Sequence, residues 1–299
     1  MMSKAAQAAA NVHSNIPGLY NPVADPKAVV TFGHARFTVL TPQLIRMEWS
    51  DTDTFEDHAS FVFLNRRLFV PAFEHTITGR TLTIRTSALT LSYTNAGHAD
   101  VADAGFTPEN LTISLSVDSK PVVWHPGMKD PGNLEGTTRT LDEALGSHTK
   151  EPIGQGLVSR TGWALVDDST RPLFDSADFS FTRGEKSPWP WVVERPSSER
   201  PGAYQDWYFF GYGHDYRKAL GDYVRVAGRI PLPPRFAFGA WWSRYWAYSD
   251  QELEQLVRGF HDNDTPLDVL VIDMDWHISG AQLAARGEKD ASGQTLGWT

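Results

Sequence analysis

The chain has 299 residues and no cysteine. That absence excludes disulfides, cysteine-ligated zinc, thiolate-held iron–sulfur clusters and a cysteine nucleophile. Basic residues are in deficit: 27 Lys and Arg face 36 Asp and Glu, for a formal charge of −9. Without a basic run there is no electrostatic footprint for a phosphate backbone, so no nucleic-acid partner is expected. No stretch approaches the ~18 apolar residues of a membrane span, so no membrane partner is expected either. Residues 1–13 are Ala-rich and lack the apolar stretch of a signal peptide, which predicts a loosely ordered tail over 1–28 and a cytoplasmic location.

What is present is a folding composition, 41% hydrophobic and 21% charged. From Val29 to about Trp207 the texture is β. Segments 37–41, 44–49, 81–85, 89–93 and 111–117 alternate apolar with polar residues, as strands with one buried and one wet face do. Asn, Asp, Gly and Pro separate them. This predicts a mainly antiparallel β-sandwich over 29–230. Within that region 126–156 reads as a long loop, and 214–227 carries apolar residues at helical spacing. Pro231, Pro233 and Pro234 then mark a stiff linker.

Beyond the linker the pattern becomes strand–helix–strand. Residues 236–242 read as an apolar strand. Ser249 and Glu252 have capping-box spacing, Leu253, Leu256, Val257 and Phe260 form a helical stripe, and 267–275 reads as a second buried strand. Two strands joined by a helix make a parallel βαβ unit. Residues 231–299 are far fewer than the ~250 of a closed (β/α)8 TIM barrel, so the expectation is the first βαβ unit of a truncated one.

The segment Val271-Ile-Asp-Met-Asp-Trp-His277 carries the strongest chemical signal. Apolar residues lead to carboxylates at a strand's C-terminal end, where barrel active sites lie. If the strand continues, Asp273, Asp275 and His277 share one face. Such carboxylates suit hydrogen bonding to substrate hydroxyls, and the plain alternative is a polar strand end capping the next helix. The same spacing admits a divalent metal, but no further ligand cluster is visible and no metal is assigned. The run Trp241-Trp-Ser-Arg-Tyr-Trp-Ala-Tyr248 offers aromatic faces that pack against sugar C–H groups. Gly154-Gln-Gly156 and Gly211-Tyr-Gly213 lack the third glycine of a dinucleotide site. They read as turns, so no cofactor is expected. Asp167-Asp168 also reads as a turn, and Trp189-Pro-Trp191 as packing.

In order and spacing, Pro233-Pro-Arg-Phe-Ala-Phe-Gly239, Ser243-Arg-Tyr-Trp-Ala-Tyr248, Pro266-Leu-Asp-Val269 and Ile272-Asp-Met-Asp275 resemble glycoside hydrolase family 31, the α-glucosidase and α-xylosidase family. Upstream, segments 133–142, 162–169 and 208–216 resemble its N-terminal sandwich and linker. The resemblance implies a retaining α-glycosidase using a nucleophile and an acid/base carboxylate. In the family both lie on later barrel strands, so no catalytic residue is assigned here, and the 299 residues alone are expected to be inactive. What the resemblance does assign is a pocket for an α-linked oligosaccharide or glucoside. Asp273 would accept from sugar hydroxyls, Met274 line the floor and Tyr245 flank the sugar. Arg244 and Asp275 would organise the pocket. Trp276 and His277 depart from the commoner Tyr-Met ending. Two other readings stand beside this one: a non-catalytic carbohydrate-binding sandwich module, and α-glucosyl transfer instead of hydrolysis.

Overall fold

Alternating side chains give each strand two faces, and what covers each face decides the architecture. The computed structural model describes residues 21–95, 105–136, 154–174, 192–193, 204–230, 232–246, 248–273 and 287. The chain divides into two compact units, Met1–Arg229 and Ile230–Thr299.

The first unit is mostly antiparallel sheet. Its strands are β1 (Val29–Phe32), β2 (Ala35–Thr41), β3 (Leu44–Ser50), β4 (Phe73–Thr78), β5 (Thr81–Thr86), β6 (Leu89–Thr94), β7 (Leu111–Val117), β8 (Lys120–Trp124), β9 (Ala164–Asp167), β10 (Leu173–Phe174), β11 (Val192–Val193) and β12 (Tyr204–Phe210). One five-stranded sheet has the order β1-β2-β3-β12-β9, and a second is the meander β4 to β8. Local chemistry sets the hairpins. Asp118 and Ser119 both have positive φ, 49° and 64°, as a two-residue turn between β7 and β8 requires.

The two sheets share one core. Phe37, Val39, Ile45, Met47 and Phe209 of the first pack with Leu82, Ile84, Leu91, Tyr93, Ile113 and Trp124 of the second. The reverse side of the first sheet holds another core of Leu40, Leu44, Tyr208 and Phe210. Phe63 covers it, together with Ala219 and Val226 of helix α1 (Tyr216–Ala227). Asp215 caps this helix through the Lys218 amide, so it begins two residues after the expected start at 214.

That second core corrects the alternation reading for β3, whose seven residues are all buried. The face expected to be wet carries Arg46, 1% exposed, and Glu48, 0% exposed. Cross-strand pairing opposes Arg46 to Thr38 and Glu48 to both Arg36 and Asp206. The charges are matched there. Arg46 donates to Asp206 at 2.8 and 2.7 Å, and Arg36 donates to Glu48 at 2.7 and 2.9 Å. Burial opposes the charge on Arg46, but Asp206 and then Glu48 outweigh it and hold the guanidinium well above its ordinary pKa.

The second unit holds β13 (Trp241–Ser243), helix α2 (Asp250–Asp262) and β14 (Val269–Val271). The two strands are parallel, in the register Trp241↔Val269, Trp242↔Leu270 and Ser243↔Val271. The expected capping box is formed: Ser249 accepts from the Glu252 amide while Glu252 accepts from the Ser249 amide. The apolar strand expected over 236–242 is corrected. Arg235–Phe238 forms a 3-10 turn with Pro234 at its N-cap, and the strand starts at Trp241. Pro234 has no amide to enter a ladder and its fixed φ suits a turn entry. The second strand is also shorter than expected, and all three of its residues are half-buried. No helix among the described residues is long and apolar enough to cross a membrane.

Candidate functional site

Parallel pairing brings the C-terminal ends of β13 and β14 to one edge. Ser243 opposes Val271, so Arg244 and Tyr245 follow one strand while Ile272 and Asp273 follow its neighbour. Three of the expected site residues therefore leave adjacent strands at matching positions. Tyr245 is 64% exposed. Asp273 is half-buried. The Arg244 guanidinium lies 4.8 Å from the centroid of the Trp246 ring, a cation–π contact that holds the arginine against the aromatic run. Met274, Asp275, Trp276 and His277 lie outside the described residues. Among the described residues no three His, Asp or Glu side chains gather as metal ligands.

The opposite ends of the same strands are fastened by residues whose role the sequence did not reveal. Asp268 Oδ2 accepts from the Ala240 amide at 2.8 Å, and the Asp268 and Val269 amides donate to the Ala240 carbonyl at 2.9 and 3.1 Å. A Cβ at Gly239 would collide with the Asp268 side chain. Gly239 is needed for that close approach and not for its dihedral, since its φ is −86°. The only sequence signal was an acidic residue beginning an apolar strand. Trp241 Nε1 donates to the Phe236 carbonyl at 3.1 Å, tying the 3-10 turn to the strand it precedes.

A cleft of about 620 Å³ runs along α2, lined by Arg244, Tyr248, Glu252, Leu256, Phe260 and Asn263 among others. It shares Arg244 with the strand-end group. Tyr245 and Asp273 do not line it. Its carboxylate is already engaged. The Ser249 amide, then the Ser249 hydroxyl, hold Glu252 below its ordinary pKa, so Glu252 acts as a helix cap and not as a proton donor at neutral pH. The Trp242 and Phe260 rings meet edge-on at 5.4 Å, packing strand against helix. The strand-end group is therefore the better candidate for ligand chemistry. It offers an acceptor carboxylate, an aromatic face and a cation on one edge, a set suited to polyhydroxylated ligands.

The remaining sequence candidates in the first unit are structural where they are described. Asp167 Oδ1 accepts from the Ser169 amide at 2.9 Å and its hydroxyl at 2.6 Å, which is turn chemistry. Gly213, with φ 57°, sits in the turn before α1. Gly156 approaches the Glu135 carbonyl too closely to carry a Cβ. Trp189 and Trp191 lie outside the described residues.

Comparison with known proteins bears on the same segment. Residues 230–288 match the domain described as "Glycosyl hydrolases family 31 TIM-barrel domain". Over 69 residues the chain is 38% identical to alpha-glucosidase 2 of Bacillus thermoamyloliquefaciens, covering 23% of this chain and 9% of that protein. Over 73 residues it is 33% identical to an alpha-xylosidase of Saccharolobus solfataricus, covering 24% of this chain and 10% of the other. The matched stretch thus spans about a tenth of each relative's length. Among solved structures, the family 31 dextranase of Flavobacterium johnsoniae, complexed with glucose, superposes with a TM-score of 0.50 at 15% identity. That superposition covers 82% of this chain and 32% of the dextranase, and at such identity it bears on fold alone.

Proposed function

We propose, from the chain's membership of glycosyl hydrolase family 31, that it supplies the substrate-holding part of a retaining α-glycosidase. On this reading the facing sheets of the first unit are the family's N-terminal β-sandwich, and β13-α2-β14 is the first βαβ unit of its TIM barrel. The observation that carries the proposal is the parallel register that sets Tyr245 and Asp273 past the ends of neighbouring strands.

Asp273 accepts hydrogen bonds from hydroxyls of an α-linked glucosyl or xylosyl unit, and Tyr245 packs against the C–H face of the ring. Arg244, held on Trp246, and Asp275 orient the pocket. On the family resemblance Met274 lines its floor, and Trp276 is counted with the substrate-binding residues. Cleavage with retention needs two further carboxylates about 5–5.5 Å apart, a nucleophile and an acid/base. Those groups belong to later strands of the family's barrel, so the 299 residues by themselves bind sugar without turning it over.

Sequencing the transcript through its 3′ end tests the proposal first. Further βα units bearing an aspartate nucleophile support it, and a stop directly after Thr299 counts against the hydrolase. With the whole barrel in hand, Asp273→Ala removes charge-assisted hydrogen bonds worth about 1.5–3 kcal/mol each. The value of kcat/KM on α-glucosides then falls at least about 100-fold. An unchanged kcat/KM would make Asp273 a structural residue.

A further inference from the structure

The first unit carries a cavity of about 270 Å³ that shares no lining residue with the strand-end group. It is lined by Arg36, Thr38, Arg46 and Asp57 together with Val23, Ala24, Pro26 and Val29. Register explains the polar wall. Val29 opposes Thr38, and Thr38 opposes Arg46, so the three form one cross-strand row over β1, β2 and β3. Arg36 lies two residues along β2 and opposes Glu48. The apolar rim comes from the segment before β1 and from Val29 at the start of β1, and Asp57 from the segment after β3.

The wall is prearranged. Arg46, 1% exposed, is fixed by Asp206, by Glu48 at 3.1 Å and by the Glu56 carbonyl at 2.8 Å. Arg36 is fixed by Glu48 and by Asp57 at 2.8 Å. Thr38 is 1% exposed. Replacing a buried ion network with packed hydrophobic residues is often neutral or stabilising, so stability alone does not account for these charges on a sheet face.

We propose that this cavity binds a neutral sugar or polyol of monosaccharide size. Charge balance selects the class. Two guanidinium groups meet three carboxylates, Glu48, Asp57 and Asp206, so an anion gains no net attraction and a cation meets two fixed positive groups. A hydroxyl group serves both kinds of wall, accepting from a guanidinium N–H and donating to Asp57 or Thr38. Val23, Pro26 and Val29 give the C–H face of a ring an apolar surface. The volume lies just below the ~300–1,000 Å³ of drug-sized pockets, which limits the ligand to about one ring.

Calorimetry and NMR titration of the 299-residue chain with glucose, xylose, maltose and isomaltose test the site. The expected result is saturable binding of at least one neutral sugar, with shifts at the Arg36 and Arg46 side-chain resonances. Asp57→Ala and the near-isosteric Thr38→Val should each weaken it about tenfold or more, as loss of a hydrogen bond to a bound ligand does. Thr38→Val guards against a folding defect in the first variant, and thermal unfolding checks both. Binding that Asp273→Ala and Tyr245→Ala leave intact, while Asp57→Ala removes it, supports this cavity even if the strand-end pocket fails. Binding that Asp57→Ala and Thr38→Val leave unchanged overturns the cavity and leaves the strand-end pocket standing. Absence of saturable binding to every one of these sugars also overturns it.

Discussion

Arg46 and Asp206 stand 160 residues apart in sequence and meet in a two-point ion pair, at 2.8 and 2.7 Å, with both side chains buried. Removing one partner strands a buried charge, which costs about 3–5 kcal/mol. Asp206→Ala should lower the first unit's unfolding free energy by about that amount in a urea titration. Arg46→Met combined with Asp206→Leu should recover most of it, because Glu48 keeps Arg36. A loss under about 1 kcal/mol for Asp206→Ala would show that Glu48 alone suffices.

Gly239 and Asp268 make the second unit a matter of shape. Gly239→Ala places a methyl group where the Asp268 side chain lies, and overpacking of this kind costs about 1–3 kcal/mol. Hydrogen exchange at the amides of β13 and β14 should speed up in Gly239→Ala. Adding Asp268→Gly should relieve the clash, because even the Asp268 Cβ would lie only 2.6 Å from the new methyl group, although the bond to the Ala240 amide is then lost. If the double variant exchanges faster than Gly239→Ala, the clash is not the cause.

His214 gives the first unit a pH-dependent brace. Its Nδ1 lies 3.0 Å from Asp118 Oδ2 and its Nε2 lies 2.9 Å from the Arg160 carbonyl. Both neighbours are acceptors, so only the imidazolium, with two N–H groups, satisfies both. The Arg160 carbonyl, then the Asp118 carboxylate, raise its pKa above 6.5. A raised folded pKa stabilises fully below the unfolded value near 6.5 and loses that stabilisation as pH rises through the folded value. NMR titration should place the His214 midpoint above that of a denatured reference. The stability gap between wild type and His214→Gln should close from pH 5.5 to pH 8.5. A gap independent of pH would show that the imidazolium is not what braces the turn.

Much of this was legible in the sequence, for a local reason. A period of two marks a strand wherever it folds, so 37–41, 44–49, 81–85, 89–93 and 111–117 all lie within strands. The capping box was equally plain, because Ser249 and Glu252 act within one helical turn. The residues past β13 and β14 stood out too, since polar and aromatic side chains ended apolar runs.

Tertiary structure decided what depends on distant partners. Alternation shows that β3 has two faces and says nothing of what covers the second. Phe63 and α1 cover part of it, and the Glu56 carbonyl and amide meet Arg46 and Glu48, which are buried where a wet surface was expected. The start of β13 moved from 236 to Trp241 because Pro234 begins a turn and because Asp268, just before β14, holds the Ala240 amide. Composition and spacing thus determined the kinds of element in this chain and which polar and aromatic residues follow its strand ends. Register and burial, which arise only when strands far apart in sequence pair, decided which charges meet, which glycine has no substitute, and that Tyr245 and Asp273 leave neighbouring strands side by side.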